Sequence, residues 1–363
     1  MADGRITDMR LVRTTPPRPV DVTAVFPELA PLARPAMRLH PRHGSPSVRD
    51  SSIGGPLLWP AREPWPHCED AHLHVDSGFR QSPTEVRLER LLHSRRRPAG
   101  RPPVFTPEEE ALRERNTVWL AERFDAGPPL PAECPVPLLP VVQLFLCDVP
   151  LLKPPGRADL LQILWCPYEH KPTFNPSTAL FWRSSAEVGD ILAAPPEPYE
   201  ADRSGYVPEP CVLAPEAITE YLSSLDLSPE AQLILNNWKR WQTADIDSSY
   251  AEYPREFYDI HLGNAPGWKV GGWPPWGRTD PNPQYCAACQ AQMAPLLTIA
   301  SQEWDGDQRP SWAPQEDQAA AVGSHYAGQD PAQPTGVEVG SADNMQIYVC
   351  PASPEHPHTD LIQ

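Results

Sequence analysis

The sequence predicts an α+β fold that is sheet-rich and internally duplicated, with short helices and long proline-rich loops. Three observations predict it. First, four phrases recur in the same order: Ile53-Gly54-Gly55-Pro56 with Trp59 and Trp65-Pro66-His67-Cys68 returns as Val270-Gly271-Gly272-Trp273-Pro274 with Trp276 and Pro283-Gln284-Tyr285-Cys286. An apolar phrase follows each block, at 137–144 and 295–299, and then a strand-like one, Leu161-Gln162-Ile163-Leu164-Trp165-Cys166-Pro167 against Met345-Gln346-Ile347-Tyr348-Val349-Cys350-Pro351. Second, 50 of 363 residues are proline, which fixes φ, removes a backbone donor and forbids long helices and central strands. Third, helix start signals are few, one in an insertion within the first half and two in the connection between the halves.

Taken in order, residues 1–50 are rich in Pro and Arg with few periodic apolar positions, and predict an extended or poorly ordered arm. Residues 51–200 form the first half-repeat. It opens as strand, turn, strand over 53–68 and carries a polar, basic insertion at 69–135. Within the insertion Thr106, Pro107 and Glu109 make a capping-box start for a helix running to about Phe124. Strands are predicted at 141–146, 160–166 and 178–182. Residues 201–260 are a helical connection, with helices at 215–225 and, behind Ser228, at 229–243. Residues 261–363 form the second half-repeat. Its segment 303–340 is rich in Ala, Gln, Gly, Asp and Pro and reads as a flexible loop, before a last strand at 345–350.

Net charge is −17 and mean hydropathy −0.46, which excludes a general nucleic-acid binder, since that needs a basic face. The one basic island, Arg87, Arg90, Arg95, Arg96, Arg97 and Arg101, reads as a solvated loop. The longest apolar run, 136–152, is broken by Pro137, Pro140, Gln143, Asp148 and Pro150 and cannot span a bilayer. The first residues lack an export pattern, so the expected compartment is the cytoplasm and the eight cysteines are expected as thiols or metal ligands.

Cys286-Ala-Ala-Cys289 is the strongest chemical signal. Two thiolates at this spacing can ligate one ion, and zinc favours sulfur in a tetrahedral shell. Buried thiols without metal and a redox pair are the other readings, the last without the βαβ context that such pairs need. Cys68 stands where Cys286 stands, followed by His72 and His74, a histidine-bearing version of the same corner. Cys147, Cys166 and Cys350 lie in or beside apolar strands and read as small hydrophobes. Asp245/Asp247 and Asp305/Asp307 read as solvated pairs, His261 as a hydrogen-bonded structural histidine, and His356 and His358 as exposed tail residues. Phosphate-binding glycine loops, the nucleophile elbow and the HExxH motif are missing from the sequence.

The phrases Ser52-Ile53-Gly54-Gly55-Pro56, Trp65-Pro66, Cys68, His261-Leu262-Gly263, Lys269 to Pro274, Cys286-x-x-Cys289, Met293 and Leu296-Leu297-x-Ile299 resemble the YwqG-like bacterial family, across about half of the chain. The Gly-Gly, Cys-x-x-Cys and Leu-Leu phrases are also similar to the programmed cell death protein 2 family. The first resemblance implies a duplicated α+β fold without an established activity, the second a chaperone of ribosomal proteins. The expected function is a non-enzymatic cytoplasmic protein that binds a protein partner, with no nucleic acid and no membrane. Its site would be a cleft between the halves lined by Gly54, Gly55, Trp59, Trp65, Gly271, Gly272, Trp273 and Trp276. The alternatives are a zinc-dependent enzyme centred on Cys286 and Cys289, or an immunity-type protein that neutralises a toxin through its acidic surface.

Overall fold

The computed structural model describes residues 12–70, 72, 81–94, 105–107, 110, 111, 113, 114, 135–171, 173–319 and 330–363. Its strands are β1 (Arg34–Arg38), β2 (Arg42–His43), β3 (Ser52–Ile53), β4 (His67–Cys68), β5 (Val136–Pro137), β6 (Leu139–Phe145), β7 (Leu160–His170), β8 (Asn175–Arg183), β9 (Cys211–Val212), β10 (Glu216–Glu220), β11 (Lys269–Gly271), β12 (Ala294–Ala300), β13 (Asn344–Val349) and β14 (Thr359–Ile362). They build two antiparallel six-stranded sheets, in the orders β10-β1-β11-β12-β13-β14 and β2-β9-β3-β6-β7-β8, and a small β4-β5 ribbon. With short helices between them, this is an α+β fold.

β6, β7, β8 and β13 are the strands expected from the apolar runs. β7 is buried along its whole length, as a continuous apolar run between two packed layers requires. One buried cluster joins residues of both sheets, among them Leu39, Val141, Leu144, Ile163 and Trp165 with Leu297, Ile299, Met345 and Ile347. A second cluster packs Val22, Phe26 and Leu29 against Leu235, Trp241, Phe257 and Tyr258.

Four expectations are corrected. The N-terminal arm is not loose over its described part, because β1 lies inside the first sheet between β10 and β11. Its pattern was hidden because one of its fully buried side chains is Arg38, which donates to the Trp312 carbonyl at 2.8 Å and to Thr15 at 2.9 Å. The helix expected at 215–225 is instead β10 followed by a 3₁₀ turn, Ser224–Asp226. Ala217 and Thr219 are exposed there while their neighbours are covered, the period of two that a strand needs. The helix expected at 229–243 stops at Leu235 and restarts as Trp238–Trp241, because Asn237 turns out of the helix and caps the second piece through Lys239 N. The 303–340 loop carries a helical turn, Arg309–Trp312, with Trp312 fully buried; residues 320–329 lie outside the described set.

The basic island is also not a solvated face where it is described. Residues Pro83–Ser94 form a helix whose Ser82 and Glu85 make a capping box: Glu85 N donates to Ser82 Oγ at 3.2 Å and Ser82 N to Glu85 at 2.7 Å. From that helix Arg90 reaches the carbonyls of Val207 (2.6 Å), Ser204 (2.7 Å) and Gly336 (2.9 Å) and the Glu209 carboxylate (3.0 Å). The helix predicted from Thr106 is present in its described residues, with Glu110 N donating to Thr106 O at 2.9 Å; Glu109 and residues 115–134 lie outside them.

Beside Arg38, His40 is fully buried and pairs through Nε2 with Glu216 at 2.9 Å. Burial, reinforced by the Arg38 charge, pushes His40 down to about 4. The unfolded chain therefore takes up this proton near pH 6.5 while the folded one refuses it until about pH 4. Stability is full above 6.5 and falls as pH drops through that window, at roughly 1.4 kcal/mol per pH unit. Urea midpoints between pH 7 and pH 5 are expected to fall more steeply for the wild type than for His40→Gln. Parallel slopes would exclude His40 as the cause.

Candidate metal centres

Two groups of four Cys and His side chains converge in the structure: Cys286, Cys289, Cys350 and His356, and Cys68, His72, Cys166 and His170. Within each, one ligand atom per residue lies within 4.8 Å of all the others.

The second-half group is made where a knuckle meets a strand end. Cys286 N donates to Ala291 O at 2.9 Å and Gln290 N to Cys286 O at 2.8 Å, which folds 286–291 into a tight loop and turns both thiols to one side. Gln290 adopts φ +61° to close it. Cys350 follows β13, and His356 comes back over it from a turn that starts at Ser353. The Cys289 and Cys350 sulfurs are 3.5 Å apart, and His356 Nδ1 lies 3.5 Å from Cys286 Sγ and 3.2 Å from Cys350 Sγ. A tetrahedral zinc with bonds of about 2.3 Å to sulfur and about 2.0 Å to nitrogen sets ligand–ligand edges of roughly 3.3–3.8 Å. Two of the three separations fall within that range, and the third, 3.2 Å, lies just below it. Burial acts to raise the Cys350 thiol, yet His356, the backbone at Ala352 and Ser353, and Cys289 together bring it down to about 6. For Cys289 the backbone at Ala291 acts downward, but Cys350, burial and Cys286 outweigh it and the thiol moves up. A cation at the centre of the group would share the charge and favour the deprotonated thiols.

The first-half group joins the β4-β5 ribbon to the far end of β7. Cys68 lies in β4, Cys166 and His170 in β7, and His72 shortly after β4. Cys166 Sγ is 3.2 Å from His72 Nε2, and Cys68 Sγ is 3.8 Å from His170 Nε2. Cys68 (8% exposed), Cys166 (0%) and His170 (8%) are buried. Hydrogen bonding to Cys166 first, then to His170 and His72, holds Cys68 far below the ordinary thiol range, while burial drives Cys166 up. The Cys68 contact raises His170.

Both groups could hold a metal. The sequence pointed to Cys286 and Cys289 and to a histidine-bearing corner at Cys68, His72 and His74; the structure adds Cys350 and His356 to the first and Cys166 and His170 to Cys68 and His72, while His74 lies outside the described residues. Cys166 and Cys350 were read as hydrophobes because the residues before them are core strand positions, and His356 was read as an exposed tail. The signal was present in the repeat itself: both copies of the strand phrase end in Cys-Pro, and a histidine follows at His170 and at His356. The paired corners do not meet in one site; each completes its own group.

The eight residues expected to line a cleft are divided. Trp59 and Trp65 are interior, in a cluster with Leu57, Leu138 and Tyr168. Trp59 packs on Trp65 and Phe181 and under the Arg183 guanidinium, and Trp65 Nε1 donates to Leu138 O at 2.9 Å. They present no contact surface. Gly54 has φ +61° and its Cα faces the Glu209 carbonyl, which an added Cβ would meet at 2.6 Å; Gly55 packs on Ser52 and Pro46. Gly271 ends β11 and Gly272 lies against Glu220. Trp273 and Trp276 are half-buried and line a hollow of about 410 Å³ with Arg34, Leu222, Asp226 and Tyr348. Arg34 stacks on the Trp273 ring at 3.3 Å, and Trp276 donates to Asp226. The hollow between the β7-β8 hairpin and β14 has a mixed lining, with Glu169, Arg203 and Asp360 beside Phe174, Tyr206 and Ile362. His261 is the structural histidine expected, between Ser311 Oγ (2.9 Å) and Tyr250 OH (3.0 Å). His358 is not free in the tail but contacts Thr178 Oγ1 at 2.8 Å.

Among the described residues, no helix is long and apolar enough to cross a membrane. Compared with known proteins, the chain matches no family model and no curated sequence.

Proposed function

We propose that this chain is a non-enzymatic binding protein of the bacterial cytoplasm that takes a protein partner, with zinc as a structural ion at Cys286, Cys289, Cys350 and His356. The observation that carries the reading is the ligand count. Three sulfurs and one nitrogen fill a tetrahedral shell, and a filled shell has no position for substrate or an activated water. Soft thiolates with an imidazole select zinc over the hard cations. Trp273 and Trp276 supply the contact surface: half-buried, amphipathic rings at the rim of a hollow are the side chains that anchor protein interfaces. The net charge of −17 favours a basic partner and disfavours nucleic acid.

The test is capture from the native host with wild-type protein and with a Trp273→Ala/Trp276→Ala variant of unchanged zinc content. A partner retained by the wild type and weakened about 30-fold or more in the variant is expected, the loss typical of a central aromatic anchor. Equal recovery by both would sink the proposed surface. X-ray absorption at the zinc edge separates the enzymatic alternative, which requires a water oxygen in the shell in place of one protein ligand.

A further inference from the structure

The two sheets have equivalent strands in equivalent places. Leu138 N donates to Pro66 O at 3.0 Å where Met293 N donates to Gln284 O at 2.8 Å. His67 pairs with Pro137 where Tyr285 pairs with Gln292. One residue on, β6 begins at Leu139 opposite Trp165, and β12 at Ala294 opposite Val349. Each pairing slips once, between Pro140 and Val142 and between Pro295 and Leu297. Carried along these registers, Cys68 coincides with Cys286, each two residues after its hydrogen-bonded carbonyl, and Cys166 coincides with Cys350, each one residue past a matched pair. His72 and Cys289 each follow the first cysteine on the knuckle side. His170 and His356 each follow the second, His170 at the end of β7 and His356 beyond β13.

We infer that the two halves are copies of one metal-binding unit, and that Cys68, His72, Cys166 and His170 form a second, independent zinc site. Two observations carry this separately: convergence of four ligand atoms, and their equivalence to the second-half set. In the second half the knuckle closes within residues 287–290. In the first, residues 69–135 enter between Cys68 and the returning strand at Val136, and the ligand corner is kept, with His72 in place of the second knuckle cysteine. Such a corner needs few contacts of its own, because an ion tying β4 to β7 holds the ribbon whatever the length of chain inserted between β4 and β5. The two sites differ in charge. Two thiolates neutralise a zinc ion in the first, and three leave the second with one negative charge.

The experiment is an ion count by native mass spectrometry on untagged protein, joined to zinc-edge absorption on the same wild-type sample. Two zinc ions per chain are expected, with an average shell of about 2.5 sulfurs and 1.5 nitrogens, because five cysteines and three histidines serve the pair. One ion with a shell of three sulfurs and one nitrogen would overturn this inference and leave the second-half centre standing. One ion with two of each would keep the first-half site and overturn the other. A count of zero would overturn both. Cys68→Ser/Cys166→Ser and Cys286→Ser/Cys289→Ser are each expected to retain one ion, and loss of both ions from either folded variant would overturn independence.

Discussion

Removing zinc with a strong chelator at neutral pH is expected to lower the thermal unfolding midpoint by about 5 °C, and adding zinc back to restore it. An ion held at ~1,000 times its dissociation constant contributes about 4 kcal/mol to the folded state, and for a chain of 363 residues each kcal/mol moves the midpoint by a little over ~1 °C. The packing around the second-half centre explains why little else compensates. Its buried cluster holds only Cys286, Met293, Tyr348 and Cys350, and the knuckle from 286 to 291 is tied by short-range backbone bonds. Without a cation, four lone-pair-bearing groups crowd one point with one proton too many or one charge too many. Magnesium is expected not to substitute, since it takes oxygen ligands in an octahedron. A midpoint unmoved by chelation, on protein shown to have lost its metal, would remove the structural role.

How much of this was legible follows from range. β6, β7, β8 and β13 were readable because each is a run of apolar residues bounded by turns, and the Ser228 helix start is local chemistry; the Ser82 start is equally local, but the arginines that follow it led to a solvated loop being read there. β1 was not readable, because Arg38 occupies a core position and its partners, Trp312 and Thr15, are distant in sequence. Residues 215–225 read as a helix because a proline opens them and Leu222 and Leu225 lie near the end, while the pairing that makes 216–220 a strand comes from residues 34–38. The metal groups show the same division. Cys286 and Cys289 share one knuckle and declared themselves; Cys350 and His356 join them only when β13 pairs with β12. The cleft of four tryptophans failed for a related reason. The recurring phrases suggested two matching corners, but Trp59 is covered by Phe181 and Arg183 of β8, a strand that a local reading does not place there.

Lys269→Met is expected to destabilise the protein by about 3–5 kcal/mol, the cost of leaving a buried charge without its partner. Lys269 and Glu220 are both fully buried, with Nζ 2.7 Å from Oε1. Glu220 also accepts from Ala265 N and Trp273 N, both at 2.9 Å, and Lys269 donates its second bond to Trp273 O at 2.9 Å. The pair thus fixes the Gly271-Gly272-Trp273 corner through both the N–H and the C=O of Trp273. Burial pushes the Lys269 ammonium down, and Glu220 acts against it. Gly272 belongs to the same arrangement: its φ is +68°, and a Cβ there would lie 2.2 Å from Glu220 Oε2, so no other residue fits while the carboxylate is held. Glu220→Gln should cost a comparable amount, since one amide oxygen cannot serve both backbone donors and the ammonium loses its counter-charge. The double variant should cost less than the two singles together, because each single change strands the charge that the other removes. Urea midpoints at constant zinc content decide the matter. Additive losses would show that the two charges do not act as a pair, and a Lys269→Met protein as stable as the wild type would show that the buried carboxylate is satisfied by its backbone donors alone.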